Sequence, residues 1–304
     1  MLGLGPYSRK YATDLKSISF HRYSTSHCSD PHEGANSVLT RQASKGQGDL
    51  MRVYANEVKP VPLWAGEANS ASCGGAPNVS DTFASSLWAL DFLSELSKAG
   101  VQGVNLHGGP HAHPETTSDS YSPVGFDDAG GMTVRPLFYG LWAWAEFAGN
   151  RSVWVPDAAV TVKGIGGDTP NSYAHVVTAD GPVAGCRVLR VLVIAKDMGQ
   201  TGNLTVTVTL PAGFCPSTSV ADPSGGRAGR SAQAGAATLR RLLAPAGLTA
   251  TQGVQWGGQR LSDANGSVVG VQVIEQAWCG DGEVVVALPA LSAAVLTVPG
   301  PCTF

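Results

Sequence analysis

The sequence predicts two parts of different class, an α/β part over residues 1–150 and an antiparallel β-sandwich over residues 151–304. Three observations carry this. In the first half, short β-type runs alternate with one strongly periodic helix, and short joins between strand, helix and strand are the signature of a parallel sheet. In the second half the period changes: Leu204-Thr-Val-Thr-Val-Thr-Leu210 alternates strictly between apolar and polar positions. Across both, charged residues make up 14% while the chain holds 38 Gly and 19 Pro, a composition suited to loops and strands rather than to a charged helical bundle.

Taken in chain order, Ser17 to Tyr23 is a first strand, leading into a Ser/His/Asp-rich loop through Cys28 and Pro31. Residues 61–66 form a second apolar run ending just before Glu67. The clearest helix follows, with Phe83, Leu87, Leu90 and Leu93 at helical spacing, Ser80 in position to cap it, and Lys98 and Gly100 closing it. Val101 to Leu106 is a third strand that reaches His107-Gly108-Gly109, and residues 137–148 read as one further helix buried by its aromatics. In the β half, residues 187–196, 268–274, 284–288 and 293–298 are further strands, and residues 223–237 are a small-residue loop.

Composition also excludes functions. The net charge of −3 leaves no basic field for nucleic acid or an anionic membrane, and no apolar run reaches the ~18 residues of a membrane-spanning helix. The opening residues meet Arg9 and Lys10 with no apolar core region before them, so they are not a secretory signal. Six cysteines and four Asn-x-Ser/Thr sequons, at Asn78, Asn150, Asn203 and Asn265, nevertheless point to an oxidising compartment. The expectation is therefore a full-length protein of the secretory pathway or extracellular space, whose true N-terminus lies upstream.

Chemistry concentrates in Trp64-Ala-Gly-Glu-Ala-Asn-Ser70, which sets the Glu67 carboxylate at a strand end beside the hydrogen-bonding side chains of Asn69 and Ser70. A competing cluster, His107, His111, His113 and Glu115, contains a His-x-His pair, but in a Gly/Pro loop it reads as solvated, and no metal or other cofactor is expected. Lys163 to Asp168 is a turn without the strand and helix a phosphate loop requires. Trp64, Trp88, Trp142 and Trp144 have apolar flanks and read as core rather than as sugar platforms.

Residues 63–70, then Gly74-Gly75, the string Val79-Ser-Asp-Thr-Phe-Ala-Ser-Ser-Leu-Trp-Ala-Leu-Asp-Phe-Leu93, and Gly103-Val-Asn-Leu-His-Gly-Gly109 closely resemble glycoside hydrolase family 79, the family of β-glucuronidases and heparanase-like enzymes. The resemblance continues through Tyr121-Ser-Pro-Val124 and Pro136 to Gly140, and resumes at residues 249–259 and 288–297, which look like the family's C-terminal β-domain. It implies a retaining hydrolase on a (β/α)8 barrel with a β-sandwich appended. Residues 1–150 would then be barrel strands six to eight, with Glu67 the nucleophile at the end of strand seven. His21 and Tyr23 would end strand six and contact nucleophile and sugar, His107 would end strand eight, and Asn69 would support binding of a glycan substrate.

A retaining glycosidase needs two carboxyl groups roughly 5 to 5.5 Å apart. The sole Asn-Glu pair, Asn56-Glu57, falls between strands six and seven in a helix-like stretch, wrong in chain order for the acid/base of strand four, and Glu57 reads as a surface residue. No acid/base is expected in this chain. A complete barrel takes about 250 residues, so the chain reads as a C-terminal fragment, inactive alone, with a separate N-terminal barrel segment as the less favoured source of the missing strands. The alternative is a non-catalytic carbohydrate-binding or structural remnant. Cys28 and Cys73, a similar short distance beyond two neighbouring strand ends, are a candidate disulfide.

Overall fold

The computed structural model describes residues 3–29, 34–109, 120–126, 131–156, 161–163, 171–199, 201–214, 237–280 and 282–302. They form two compact units, Met1–Trp144 with Leu243–Gly270, and Ala145–Leu242 with Val271–Phe304. His111, His113, Glu115, most of the 163–168 turn and most of the 223–237 loop lie outside the described residues.

The first unit opens with α1 (Leu4–Lys10) and β1 (Ile18–Ser26), followed by α2 (Gln47–Val58), β2 (Leu63–Ser72), α3 (Phe83–Lys98) and β3 (Val101–Leu106). The three strands form a parallel sheet in the order β1-β2-β3. The helix α3 buries nearly its whole circumference, with Phe83, Leu87, Trp88, Leu90, Phe92 and Leu96 all out of solvent. The buried Trp88 indole still meets a partner, donating from Nε1 to Ser24 Oγ at 2.7 Å. A hairpin of β4 (Val124–Phe126) and β5 (Met132–Val134) leads into α4 (Pro136–Ala148). Gly140 lets α4 lie close against α3, because a Cβ there would come within 2.6 Å of the Ser86 carbonyl oxygen.

Three details differ from the sequence reading. The N-cap of α3 is Thr82, extended at φ −109° and ψ 172°, and no side chain caps the helix. Ser80 instead accepts from Ala76 N–H at 3.0 Å and lies 2.8 Å from Ser70 Oγ. The orphan N–H groups of Phe83 and Ala84 donate to the carbonyls of Ala250 and Leu248, at 2.8 and 3.2 Å. Those acceptors belong to residues 243–270, which the chain order places with the β half and the structure places in the first unit. Leu261 N–H donating to Tyr139 Oη and Val134 N–H donating to Asp263 fix the same segment. Glu57 is not a free surface carboxylate either, since it is half-buried and accepts from Leu4 and Gly5 N–H at the start of α1.

The second unit holds β6 (Val153–Trp154), β7 (Thr161–Lys163), β8 (Ser172–Asp180), β9 (Cys186–Ala195), β10 (Asn203–Thr209) and β11 (Ala237–Leu243). The chain then passes through the excursion carrying β12 (Gln255–Trp256), β13 (Arg260–Leu261) and β14 (Val268–Val269). It returns as β15 (Glu275–Ala277), β16 (Cys279–Gly280), β17 (Glu283–Pro289) and β18 (Ser292–Cys302). One antiparallel sheet runs β11-β18-β9-β8-β6, the other β16-β17-β10-β7. Alternation explains the core: Leu204, Val206 and Val208 of β10 and Val284, Val286 and Leu288 of β17 enter the same buried cluster as Val191, Val193 and Leu296 of the other sheet. A disulfide between Cys186 and Cys302 ties the start of β9 to the end of β18, and Cys279 is disulfide-bonded as well.

Candidate active site

β1, β2 and β3 bring the sequence-predicted residues together: His107 follows the end of β3 as expected, but His21, Tyr23 and Glu67 stand within β1 and β2, which run on to Ser26 and Ser72. Pairing of β1 with β2 shifts by one residue between Phe20 and His21: Phe20 lies opposite Ala65, whereas His21 lies opposite Glu67 and Tyr23 opposite Asn69. The extra residue is Gly66, where a Cβ would come within 2.9 Å of Ser19. This one-residue bulge sets Glu67 beside His21, the re-aiming role bulges play near active sites.

Glu67 is the centre of the cluster. Tyr23 Oη donates to its Oε1 at 2.6 Å, His21 Nδ1 lies 3.6 Å from Oε2, and His107 Nδ1 lies 3.8 Å from Oε1. The Tyr23 hydrogen bond, aided by the two imidazoles and opposed by desolvation, holds the Glu67 carboxyl below the usual glutamate range. Among the described residues, none of the groups acting on Glu67 is a second carboxyl. Burial, then the hydrogen bond to Glu67, pushes the Tyr23 phenol far above its ordinary value, so it stays a neutral donor throughout the physiological range. The arrangement is an ionised, partly exposed carboxylate with one oxygen fixed by a phenol, which suits a nucleophile.

Asn69 holds the opposite wall. It is fully buried; its Nδ2 donates to the His107 carbonyl at 2.7 Å and to the Tyr121 carbonyl at 3.2 Å, while its Oδ1 accepts from Ser70 N–H at 2.8 Å. His107 is further held by its own N–H, which donates to Ala68 O at 2.8 Å. Tyr121, which sequence reasoning does not single out as a site residue, lies with its Oη 2.5 Å from His107 Nδ1. Gly75, at φ +85°, makes this approach feasible, because a Cβ there would meet the Tyr121 backbone nitrogen at 2.9 Å.

Cys28 and Cys73, just beyond the ends of β1 and β2, are joined in a disulfide with a Cα–Cα distance of 5.8 Å. Of the four tryptophans read as core, Trp88 is buried, but Trp64 is 38% exposed on β2 and Trp142 and Trp144 are half-buried. Trp64 lies over Gly103 of β3, where the missing side chain leaves room for its ring.

Comparison with known proteins bears on the whole chain. Residues 185–295 match the glycosyl hydrolase family 79 C-terminal beta domain. The resemblance to family 79 seen in the sequence is borne out. A β-glucuronidase of Aspergillus niger is 25% identical over 272 residues, covering 86% of this chain and 46% of its own length. A β-glucuronidase of Neurospora crassa is 28% identical over 139 residues, covering 44% of this chain and 24% of its own length. Among solved structures, a 4-O-α-L-rhamnosyl-β-D-glucuronidase from Fusarium oxysporum superposes with a TM-score of 0.66 at 19% identity, over 92% of this chain and 53% of that one. The chain has a glycoside hydrolase fold and spans about half, or less, of the length of these relatives.

Proposed function

We propose that these residues form the nucleophile-bearing part of a retaining β-glucuronidase acting on glucuronic-acid-bearing glycans. The observation that carries the reading is the Glu67 carboxylate, held ionised by the Tyr23 phenol and flanked by His21 and His107 across three parallel strands. Glu67 attacks the anomeric carbon, the glycosidic bond breaks, and water later releases the sugar from the covalent intermediate. Tyr23 orients the attacking oxygen, and its proton stays on the phenol.

A second carboxyl must protonate the leaving oxygen, and we assign it to polypeptide outside these residues, supplied with the remaining strands of a (β/α)8 barrel of which β1 to β3 are strands six to eight. Two features support this: β3 ends the sheet order, and beside it runs a groove of about 440 Å³ lined by Leu93, Val104, Leu106, Leu141 and Trp144. An apolar groove against a sheet edge suits a further βα unit. Four exposed sequon asparagines and the disulfides favour the secretory pathway.

Release of the phenol from an aryl β-glucuronide tests the reading. The chain alone should be inactive. The polypeptide that joins it to the second carboxyl should turn over, and Glu67→Gln should abolish that activity. Turnover surviving Glu67→Gln, or turnover by the isolated chain, would overturn it.

A further inference from the structure

The outer face of the sheet β16-β17-β10-β7, in the second unit, carries a row of side chains that the catalytic reading does not use. Strand alternation sends Val284, Val286 and Leu288 of β17 into the core, so Val285 stands on the outer face, 47% exposed. Pairing places Val285 opposite Thr207 of β10, and Thr207 opposite Lys163 of β7. On the other side Cys279 of β16 pairs with Val284, so the antiparallel register carries Trp278 to the level of Val285. Trp278 is 56% exposed, and its ring covers Gly280, where a Cβ would collide with it. Cys279, buried and disulfide-bonded, pins this edge from the core side. The row therefore runs from an indole through a valine and a threonine to an ammonium, over three strand spacings or about 14 Å.

We propose that this row binds an acidic glycan, with the apolar C–H face of a pyranose stacked on Trp278 and a sugar carboxylate paired with Lys163. Sheet edges are ordinarily guarded by charged residues or proline; here an indole laid flat over a glycine occupies the edge instead. A protein partner fits less well, because the cores of protein interfaces are depleted in lysine, whereas Thr205 and Thr207 of β10 offer hydroxyls to sugar hydroxyls on the same face. Glu283, also on this face, accepts from Thr209 Oγ1 at 3.1 Å and stands two strands from Lys163, so the β7 end of the row is the place for an anion. The site itself rests on these residues alone; the choice of a glucuronic-acid-bearing glycan rests on the reading of Glu67.

Titration calorimetry of the chain with an oligosaccharide of alternating glucuronic acid and N-acetylglucosamine, and with its carboxyl-reduced form, reads the site without any turnover. Trp278→Ala should weaken binding of both forms about tenfold, the loss expected for one stacked ring, and Trp278→Phe should restore most of it. Lys163→Gln should weaken the acidic form about threefold, as an exposed charge pair would, and leave the reduced form unchanged. All three variants replace exposed side chains, and an unchanged thermal midpoint verifies that they remain folded. No binding by the wild type overturns the proposal, as does binding that Trp278→Ala leaves unchanged, the result if the oligosaccharide sits only beside Glu67. A concentration-dependent dimer that Trp278→Ala disperses overturns it in favour of a second copy, and an equal effect of Lys163→Gln on both forms removes the carboxylate pairing. Binding lost in Trp278→Ala, together with turnover that survives Glu67→Gln in the active polypeptide, would keep the glycan site and remove the reading of Glu67.

Discussion

Replacing Asn69 by Ala tests whether one buried carboxamide holds the wall of the site. The side chain is fully buried and makes three hydrogen bonds: to the carbonyls of His107 and Tyr121, and from Ser70 N–H. Removing one partner of a buried hydrogen bond costs about 1 to 3 kcal/mol. The low end applies at His107, which sits at an exposed loop where water can replace the amide, whereas the Tyr121 carbonyl is buried. Even with all three bonds taken at the low end, the sum is about 3 kcal/mol. At roughly 2 to 4 °C per kcal/mol for a unit of this size, the thermal midpoint should fall by about 6 to 12 °C. Far-UV circular dichroism of the chain on heating measures it. Asn69→Asp, which keeps the acceptor but replaces both donated bonds with repulsion and adds a charge near Glu67, should be no better. A midpoint within about 2 °C of wild type for Asn69→Ala would refute the argument, since the amide would then be redundant.

Tyr23→Phe removes the main group that lowers the Glu67 pKa, so that pKa should rise and the carboxylate should protonate at higher pH as the solution is acidified. Carbon-detected NMR titration of the chain reads this directly, and in the active polypeptide the acid limb of the kcat/KM profile should move the same way; an unmoved titration would show that Tyr23 does not tune the nucleophile. Separately, the Cys28–Cys73 disulfide closes 45 residues of sequence. In the chain-entropy model a loop of that length contributes roughly 4 kcal/mol, so Cys28→Ser with Cys73→Ser should lower urea resistance of the first unit substantially, and free thiols at both positions in non-reducing peptide mapping would contradict the pairing.

Much of this was legible in the sequence, for identifiable reasons. The helix α3 and strand β3 announce themselves through local periodicity and terminal residues, which depend on neighbours a few positions away. Glu67, Tyr23 and His21 were legible because strand ends in a parallel sheet carry functional groups, and because the ordered string around Glu67 resembles a known family. What was not legible depends on distant partners. Ser80 looks like a helix cap, yet the N–H groups it was expected to serve are satisfied by carbonyls at 248 and 250. Tyr121 joins the site through an amide 52 positions earlier; it stands in a string that resembles the family, but nothing local to it gives it a place in the site. Apolar flanks put Trp64 in the core, but it covers a glycine on the neighbouring strand and stays partly exposed.

The bulge at Gly66 has a consequence for how this site tolerates change in length. Side chains along a strand alternate faces with a period of two, so register counts residues rather than distances. Deleting Gly66 would join Ala65 directly to Glu67 and leave the pairing continuous, with His21 still opposite Glu67 and Tyr23 still opposite Asn69. Deleting a residue beyond the bulge, such as Ala68, would instead slide every later position of β2 by one partner and take Asn69 away from Tyr23. Gly66 is thus a place where β2 can lose a residue and keep the pairs that build the site, whereas the same loss two positions further on dismantles them.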